Sequence, residues 1–416
     1  MEPAERSHTI VFYSSAGSQK RSLMKKLTCI FILVLPFMIS CKKNAAFQAT
    51  IINDSLFQVI TVNPDNIDKK EPGKISAFAE EVEYIPLQTA DSILIGETTR
   101  LIVWSDLYYI WDKLSETIFC FDQDGSFRYR VNRQGNGPDE YLNIKDFTLN
   151  RENGNIMIYS DRGQAFYEYT RDGELVKKSK ASFLMSSFAA KGDWKYCYLD
   201  RLPNQRLYED IFPEAYRYVT LNDGNVCNHQ LKYEYNEDFL HVPLSSDNFT
   251  YYKDKVLLTE FLHPEIYEID SIGNLNPRYR IEFTTNAYAP SFYGSVDLKR
   301  MKEAEKEGEY TSLFGAFYEN EDYLFFNYSR GLLGLAYVEK KDGSIHNPGY
   351  FLLDDFNQNT LSVILASVDE KYVYLMGEPE LLKEKQKRKQ FSPYLNEICE
   401  GLQEFDNPVI IRVKLK

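Results

Sequence analysis

Residues 96–141 have the sequence GETTRLIVWSDLYYIWDKLSETIFCFDQDGSFRYRVNRQGNGPDEY. This stretch contains four runs of aromatic and β-branched residues with short polar segments between them, a pattern that is typical of strands. Between the last two runs, Asp124-Gly125 predicts a tight hairpin, because glycine takes a positive φ without strain. The stretch therefore predicts one four-stranded sheet. Its predicted strands are Thr99–Trp104, Leu107–Trp111, Thr117–Asp122 and Phe127–Asn132.

The same pattern returns about 48 residues later along the chain. Ile118–Phe121 aligns with Phe166–Tyr169, and the Asp124-Gly125 hairpin aligns with Asp172-Gly173. Weaker copies follow, and about six units can be traced up to the last strand of the chain. A period of roughly 40–50 residues with four strands per unit is typical of β-propellers. The repeat therefore indicates a ring of similar sheets.

We predict an all-β fold, a six-bladed β-propeller of four-stranded blades spanning residues 81–416, with short helical insertions. Helix-forming residues dominate 296–307 and 380–404, where the insertions are expected. A propeller ring is sealed when one blade takes strands from both ends of the chain, which removes an open seam. Val82–Leu87 and Val409–Leu415 are the strands left over at the two ends, so we predict that they pair in the closing blade.

The N-terminal region has the features of an export signal. Lys25 and Lys26 precede an apolar run at residues 27–39, and Ser40-Cys41 follows. The run is shorter than the roughly 20 residues that a membrane-spanning helix needs, and its flanks are those of a signal peptide. We predict a lipoprotein signal peptide at residues 24–41 that ends at the lipidated Cys41. An ordinary signal peptide with an incidental cysteine is the alternative.

This signal divides the start of the chain into three parts. Residues 1–23 are polar and precede the better start at Met24, so we predict that they are a mis-called N-terminal extension. Residues 42–80 are predicted to be a tether and an N-terminal segment. Because lipid chains hold a protein at a membrane surface, the predicted location is the cell envelope, anchored to the outer membrane.

Charge and cysteine content narrow the function classes. The formal net charge is −13, so the chain repels phosphate backbones and we exclude nucleic acid as a partner.

Four cysteines lie beyond the leader without any metal-ligand spacing, and we predict structural free thiols. An oxidising compartment would permit a disulfide, but the sequence does not indicate a pairing. These four residues are Cys120, Cys197, Cys227 and Cys399.

Four segments carry a family resemblance, namely Ile85–Thr89, Ile95–Glu97, Ile118–Gly125 and Asn132–Tyr141. Together they resemble the six-bladed β-propeller lipoproteins of anaerobic Gram-negative gut bacteria, which are akin in architecture to NHL-repeat propellers. The last segment is close to the pattern GRQGxGPGEY, from which Asn132 and Asp139 depart. The resemblance implies a six-bladed ring on a lipid anchor, and it implies little about chemistry. Surface-exported lipoproteins of these bacteria carry acids after the anchor, whereas this chain has Lys42-Lys43, which favours the periplasmic face over the cell surface.

The last of these segments is the most motif-like stretch of the chain. Gly135, Gly137 and Pro138 predict a tight connection between two blades. The alternative is a loop that faces a ligand, because binding residues often lie on loops held by a rigid scaffold. On that alternative the candidate binding residues are Arg133, Gln134, Asn136, Glu140 and Tyr141.

The search for catalytic chemistry finds no motif. The sequence has no metalloprotease, nucleophile-elbow, Walker or dinucleotide-binding signature, so we predict no catalytic residue.

The basic run at 383–389 is interpreted as a solvated helix face, with a patch for anionic ligands as the alternative. His229, His241, His263 and His346 lack metal-ligand spacing and are interpreted as surface or packed side chains.

Three functions therefore stay open. The first is a binding or interaction module in the envelope, with a glycan, a peptide or a partner protein as ligand. The second is a metal-dependent hydrolase or lactonase with Ca²⁺ in the central channel, as in other propeller enzymes. The third is a scaffold whose channel is filled by its own side chains. Candidate channel residues for the second function are Glu97, Asp146, Asp193, Asn248 and Asn327.

Overall fold

Antiparallel strands dominate the computed structural model, which describes residues 52–53, 57–67, 72–234, 247–285, 303, 307 and 310–416. The described residues form seven sheets. The predicted extension, the signal peptide and Cys41 lie outside the described residues, as does most of the predicted helical insertion at 296–307.

Sheets 1, 2 and 3 are four-stranded and antiparallel, and their strands pair in chain order. The strands of sheet 1 are Thr98–Trp104, Leu107–Asp112, Thr117–Asp122 and Phe127–Val131. The strands of sheet 2 are Asp146–Leu149, Ile156–Ser160, Ala165–Tyr169 and Leu175–Lys180. The strands of sheet 3 are Ser187–Lys191, Trp194–Tyr198, Tyr216–Asn222 and Asn225–Lys232. Sheet 1 thus confirms the four strands predicted from residues 96–141.

Sheets 4 and 5 continue this pattern, and sheet 4 is extended. Gln58–Val62 pairs in parallel with the last of its four chain-ordered strands, and Ile52–Asn53 adds a sixth strand outside it. The other strands of sheet 4 are Phe249–Tyr252, Lys255–Thr259, Glu265–Ile269 and Leu275–Phe283. The strands of sheet 5 are Ser312–Glu319, Tyr323–Arg330, Leu332–Glu339 and Ser344–Gly349.

Sheet 6 is small and sheet 7 closes the ring. Sheet 6 contains, in spatial order, Asn359–Leu361, Leu352–Asp354 and Gly73–Lys74. Sheet 7 contains, in spatial order, Ser367–Val368, Tyr372–Gly377, Val409–Leu415 and Ala79–Pro86. A 3₁₀ turn at Ile75–Ala77 joins the N-terminal strands of these two sheets. The α-helices of the described residues are α1 (Asn204–Leu207), α2 (Pro379–Arg388) and α3 (Pro393–Gly401).

The predicted six-bladed ring of four-stranded blades is wrong. Counting each sheet as a blade gives seven, and only five of the seven sheets have four strands. Two short strands that are close in the sequence belong to different sheets, because Asn359–Leu361 lies in sheet 6 and Ser367–Val368 lies in sheet 7. Strands of two or three residues are too short to show an alternating pattern, and Gly73–Lys74 joins sheet 6 from the far end of the chain.

The predicted closing sheet is confirmed. Val409–Leu415 pairs with Ala79–Pro86 in antiparallel register, so that Ile411 lies opposite Tyr84 and Val413 opposite Val82. On its other side the same strand pairs with Tyr372–Gly377. Sheet 7 therefore holds both ends of the ring in one hydrogen-bonded ladder.

Side chains between neighbouring sheets form the core. One cluster between sheets 1 and 2 contains Trp111, Tyr141 and Phe147, all almost completely buried. The predicted hairpin residue Gly125 has a φ of 84°, and a Cβ there would overlap the carbonyl oxygen of Pro86 in sheet 7. The sheet 1 hairpin is therefore packed against the closing sheet, and only glycine fits at this position.

No helix among the described residues combines the length and the apolar character that crossing a membrane requires.

Candidate functional site

A buried ion cluster around Arg100 joins the first strands of several sheets. Arg100 Nη1 lies 2.8 Å from Asp146 Oδ1 and also donates to the carbonyl oxygen of Phe147. Arg100 Nε lies 2.9 Å from Asp247 Oδ1, which precedes the first strand of sheet 4. Asp146 Oδ2 accepts from the N–H of Phe188 in sheet 3 at 2.8 Å. The guanidinium of Arg100 and the carboxylate of Asp146 thus connect sheets 1 to 4.

Burial shifts the pKa values of Asp146 and Arg100. Asp146 is completely buried, and burial raises its pKa to about 7, against the opposing effects of Arg100 and the Phe188 N–H. Burial alone would lower the Arg100 pKa, but Asp146 and Asp247 hold it above its ordinary value. Each charge therefore depends on the other to remain ionised inside the protein.

Neutral and cationic side chains fill the space beside this cluster. The guanidinium of Arg151 stacks 3.7 Å from the ring centroid of Tyr251. The Tyr251 hydroxyl lies 3.2 Å from Thr148 Oγ1, which links sheet 4 to sheet 2. This part of the propeller is therefore occupied by the protein's own side chains.

The candidate metal residues are engaged in other contacts. Arg100 already holds the carboxylate of Asp146, so a cation bound there would have to displace it. Asn248 Oδ1 accepts from Ser187 Oγ, and its Nδ2 donates to Thr259. Asn327 Nδ2 donates to the carbonyl oxygens of Gly334 and Val363, whereas Glu97 and Asp193 are exposed.

Across the residues that the structure describes, no group of three or more His, Cys, Asp and Glu side chains is arranged to hold a metal ion. The Ca²⁺ expectation for the channel stays a prediction.

The motif loop forms a joint between sheets 1 and 2. The Tyr141 ring is fully buried, and its hydroxyl donates to Glu116 O at 2.7 Å and accepts from the Arg133 N–H at 3.1 Å. Glu140 Oε2 accepts from the N–H of Gly137 at 2.8 Å. These bonds account for the predicted tight connection. The side chains of Arg133, Gln134, Asn136 and Glu140 are exposed, and their binding role stays a prediction.

The cysteines and most of the basic run have structural contacts. All four cysteines of the described residues are free thiols, and only Cys227 is exposed, so the prediction of free thiols is confirmed. In helix α2, Lys383 Nζ donates to the carbonyl oxygens of Cys399 and Leu402. Arg388 pairs with Glu384 at 2.6 Å across one helical turn. Lys385 differs, because its side chain enters a groove.

This groove lies between α2 and the ends of sheets 5, 6 and 7, with a volume of about 560 Å³. Four bulky apolar side chains in its lining are 39–52% exposed to solvent. Contiguous apolar surface of this kind marks binding sites in soluble proteins. These four side chains are Leu332, Phe351, Ile364 and Leu381.

A buried hydrogen-bond acceptor stands in the lining of the groove. Asn359 is completely buried, and its Oδ1 has no hydrogen-bond partner among the described residues. The Tyr84 hydroxyl donates to Asp354 Oδ2 at 2.7 Å, so it must accept from Asn359, whose Nδ2 lies 3.1 Å away. This relay determines the orientation of the amide and leaves Oδ1 as the free acceptor. Because Oδ1 is closed to solvent, this acceptor belongs to the interior of the protein and is not offered to a ligand in the groove.

The side chain of Lys385 contributes an ammonium group to the lining of the groove. Lys385 Nζ donates to the carbonyl oxygen of Thr360 at 2.6 Å, and Thr360 directly follows Asn359. Among the described residues, no carboxylate lies within 4.0 Å of this ammonium group. Burial lowers the pKa of Lys385, and Lys389 lowers it further. An ammonium group has three N–H donors, so two remain for a ligand.

Sequence reasoning missed this groove and the Arg100 cluster. Three segments line the groove, residues 331–333, 350–364 and 375–385, together with Ile411, and the fold brings them together. The one local signal was Leu381, an apolar residue on a helix otherwise rich in lysine. Arg100 lies in a predicted strand, where a charged residue between buried neighbours was the available signal.

A comparison with known families gives a match over most of the chain. The family described as "Domain of unknown function (DUF4934)" matches residues 57–414. The expected assignment to six-bladed, NHL-like lipoproteins is not supported, because this family is the one that matches and the sheets number seven. A comparison with curated protein sequences finds no match.

Two solved structures show the extent of the likeness. A Bacteroides fragilis NCTC 9343 protein assigned as exported has a TM-score of 0.69 and 16% identity, covering 86% of this chain and 99% of that protein. A member of the DUF4221 family from Bacteroides vulgatus ATCC 8482 has a TM-score of 0.44 and 11% identity, covering 81% and 96%. At this identity the first likeness shows the fold and nothing more.

Proposed function

We propose that this chain, which belongs to the DUF4934 family of domains of unknown function, is a binding module of the cell envelope. The groove beside α2 is the observation that carries the proposal. Its volume of about 560 Å³ lies in the range of ligand sites, and apolar side chains with a few polar groups line it. The Arg100 cluster takes no part, because its charges pair with one another.

A peptide or a partner protein suits this groove better than a glycan. Sugars present many hydroxyl groups, and a site for them offers many hydrogen-bonding side chains. Here most of the exposed side chains in the lining are apolar, and Ser362 and Glu378 are its exposed polar side chains, with Lys385 partly exposed. The chemistry of the lining therefore favours a ligand with a large apolar surface.

Dye binding tests the groove directly. We expect Leu381→Glu to reduce the fluorescence of bound anilinonaphthalene sulfonate several-fold, because a carboxylate in the groove repels the anionic dye and makes the apolar lining wet. Leu114→Glu is the matched control, since Leu114 is 65% exposed in sheet 1, away from the groove, and should leave the signal unchanged. Equal fluorescence in both variants, with equal unfolding midpoints in urea, would refute the groove as a binding site.

The envelope location rests on the N-terminal pattern. We propose export through the signal peptide at residues 24–41 and lipid attachment at Cys41, with the domain on the periplasmic side of the outer membrane. The lysines at positions 25 and 26 and the apolar run support this proposal, and the Bacteroides fragilis neighbour is also assigned as exported.

Metabolic labelling in the producing cell tests the anchor. We expect an alkyne fatty acid to label the wild-type protein and the Cys41→Ala variant to lack the label and leave the membrane fraction. Cys227→Ala is the control, because Cys227 is also an exposed thiol. Label that persists in Cys41→Ala would show that the anchor is elsewhere, and protease treatment of intact cells would show which membrane face carries the domain.

A further inference from the structure

The longest connection within sheet 3 is held against the ring by polar contacts. Residues 199–215 join the second and third strands of this sheet and contain helix α1. Asn204 Oδ1 accepts from the N–H of Leu184 at 3.0 Å, and its Nδ2 donates to the carbonyl oxygen of Leu184 at 2.8 Å. Gln164 Nε2, next to a strand of sheet 2, donates to the Tyr208 hydroxyl at 2.8 Å. These bonds dock the first part of the connection.

An aromatic contact with His229 holds the second part. His229 lies in the outer strand of sheet 3, Asn225–Lys232. Its ring meets the ring of Phe212 edge to face, with centroids 5.3 Å apart, and lies 4.9 Å from the ring of Tyr216. Phe212 is almost completely buried and also contacts the ring of Phe183 at 5.2 Å. The imidazole is therefore part of the packing that keeps the connection on the sheet.

One nitrogen of this imidazole lacks a hydrogen-bond partner. His229 Nε2 is closed to solvent, and no donor or acceptor of the described residues reaches it. In a neutral ring this nitrogen carries only a lone pair. Protonation would place an N–H donor and a positive charge where neither water nor a protein acceptor can reach them, which is costly. The docked arrangement therefore requires the neutral form of His229.

Neighbouring charges do not offset this cost. Burial lowers the pKa of His229, and the backbone of Ile211 opposes this shift, but no charged side chain of the described residues contributes to it. Glu214 is already bonded to Lys232 and to the Tyr216 hydroxyl, and Arg217 is bonded to Glu260. The titratable side chains on the elements packed against the ring are Tyr208, Glu209, Asp210, Glu214, Tyr216, Arg217, Cys227 and Lys232.

We propose that His229 is a pH-sensitive latch, which keeps the connection docked at neutral pH and releases it in acid. Undocking exposes the imidazole, so its pKa returns to the ordinary value of about 6.5 and the open form binds the proton more strongly. The docked form therefore loses stability as the pH falls below about 6.5, and it keeps its full stability above that value. This inference goes beyond the proposed function and does not depend on the groove beside α2.

Hydrogen–deuterium exchange with mass spectrometry at pH 7.5 and pH 5 tests the latch. After correction for the intrinsic exchange rate, peptides covering residues 181–186 and 203–212 should exchange about fivefold faster at pH 5, since one unit of pKa shift changes the opening equilibrium tenfold. The N–H of Leu184 is a direct reporter, because undocking removes its acceptor, Asn204 Oδ1. Peptides from residues 107–122 in sheet 1 should keep their protection.

Variants assign the response to one side chain. His229→Phe keeps an aromatic ring against Phe212 and Tyr216 but cannot take up a proton, so its protection should be equal at both pH values. His229→Gln also cannot take up a proton, and it should show weaker protection that is again independent of pH. His346→Phe is the matched control, because His346 stacks on Tyr337 in sheet 5 with ring centroids 4.6 Å apart, and it should respond as wild type does.

Two outcomes overturn the proposal. Unchanged protection of residues 181–186 and 203–212 in the wild-type protein at pH 5 would show that protonation does not release the connection. An acid-dependent loss that persists in both His229→Phe and His229→Gln would assign the response to another group. Neither outcome affects the dye signal of Leu381→Glu, which tests the groove of the proposed function separately.

Discussion

A chain that ends at Pro408 is expected not to fold cooperatively. The deleted strand, Val409–Leu415, is an inner strand of sheet 7 and pairs with both Tyr372–Gly377 and Ala79–Pro86. Its five apolar side chains are at least nine-tenths buried, and burying them contributes about 8–15 kcal/mol. This equals the whole stability of an ordinary domain, about 5–15 kcal/mol. The truncation also opens the ring between its two ends.

Circular dichroism during urea unfolding, with size-exclusion chromatography, measures this effect. The truncated protein should give a broad, non-cooperative transition and an expanded or aggregated elution profile. Deletion of Lys416 alone is the control, because it removes the backbone N–H that donates to Phe78 O but leaves the whole strand. A sharp transition near the wild-type midpoint in the truncated protein would show that sheet 7 does not hold the ring together.

Arg100→Met is expected to lower the free energy of unfolding by about 3–5 kcal/mol at pH 8. Methionine keeps an unbranched apolar side chain in place of the arginine stem, but it leaves the carboxylate of Asp146 buried without its cation. Asp247 also loses its contact with the guanidinium Nε. The cost is that of an unpaired buried charge, and only the Phe188 N–H and other backbone donors continue to stabilise it.

The stability that Arg100→Met loses should be larger at high pH than at low pH. The folded pKa of Asp146 is already raised to about 7, and removal of Arg100 raises it further. A carboxyl group whose pKa is higher in the folded state than in the unfolded state destabilises the fold when it ionises. The free energy of unfolding therefore falls as the pH rises from the unfolded pKa, about 4, to the folded pKa. The variant should therefore lose less stability at pH 5, where Asp146 is protonated, than at pH 8.

Urea unfolding at both pH values checks this prediction. Arg128→Met is the control, because its contact with Asp122 at 2.8 Å is exposed and should contribute little at either pH. An Arg100→Met variant as stable as wild type at pH 8 would mean that Asp146 does not need the cation. A second variant, Arg100→Met with Asp146→Leu, should recover part of the stability because it removes the stranded charge.

Local patterns made much of the fold predictable. Alternation predicts the strands of sheet 1, turn chemistry predicts the Gly125 hairpin, and the need to close a ring predicts that the two end strands share a sheet. The number of sheets did not follow, because sheet 6 has strands of two and three residues. Its third strand, Gly73–Lys74, comes from a segment that had been predicted to be tether and N-terminal segment.

The candidate site was much less predictable than the fold. The motif loop drew attention because its residues are contiguous, yet its strongest contacts, those of Tyr141, are internal. The groove has no contiguous motif, since Thr360 and Lys385 meet only after sheet 6 and α2 have packed together. A free acceptor such as Asn359 Oδ1 is a property of the hydrogen-bond network and leaves no trace in residue order.

The N-terminal strand of sheet 7 has a consequence for the order of events during folding. Glu83 in this strand bonds to Arg412, 329 positions later in the chain. Contacts between such distant positions form slowly, since a long loop must close before they form. Ala79–Pro86 therefore waits for the last strand of the chain, and the ring closes late in folding.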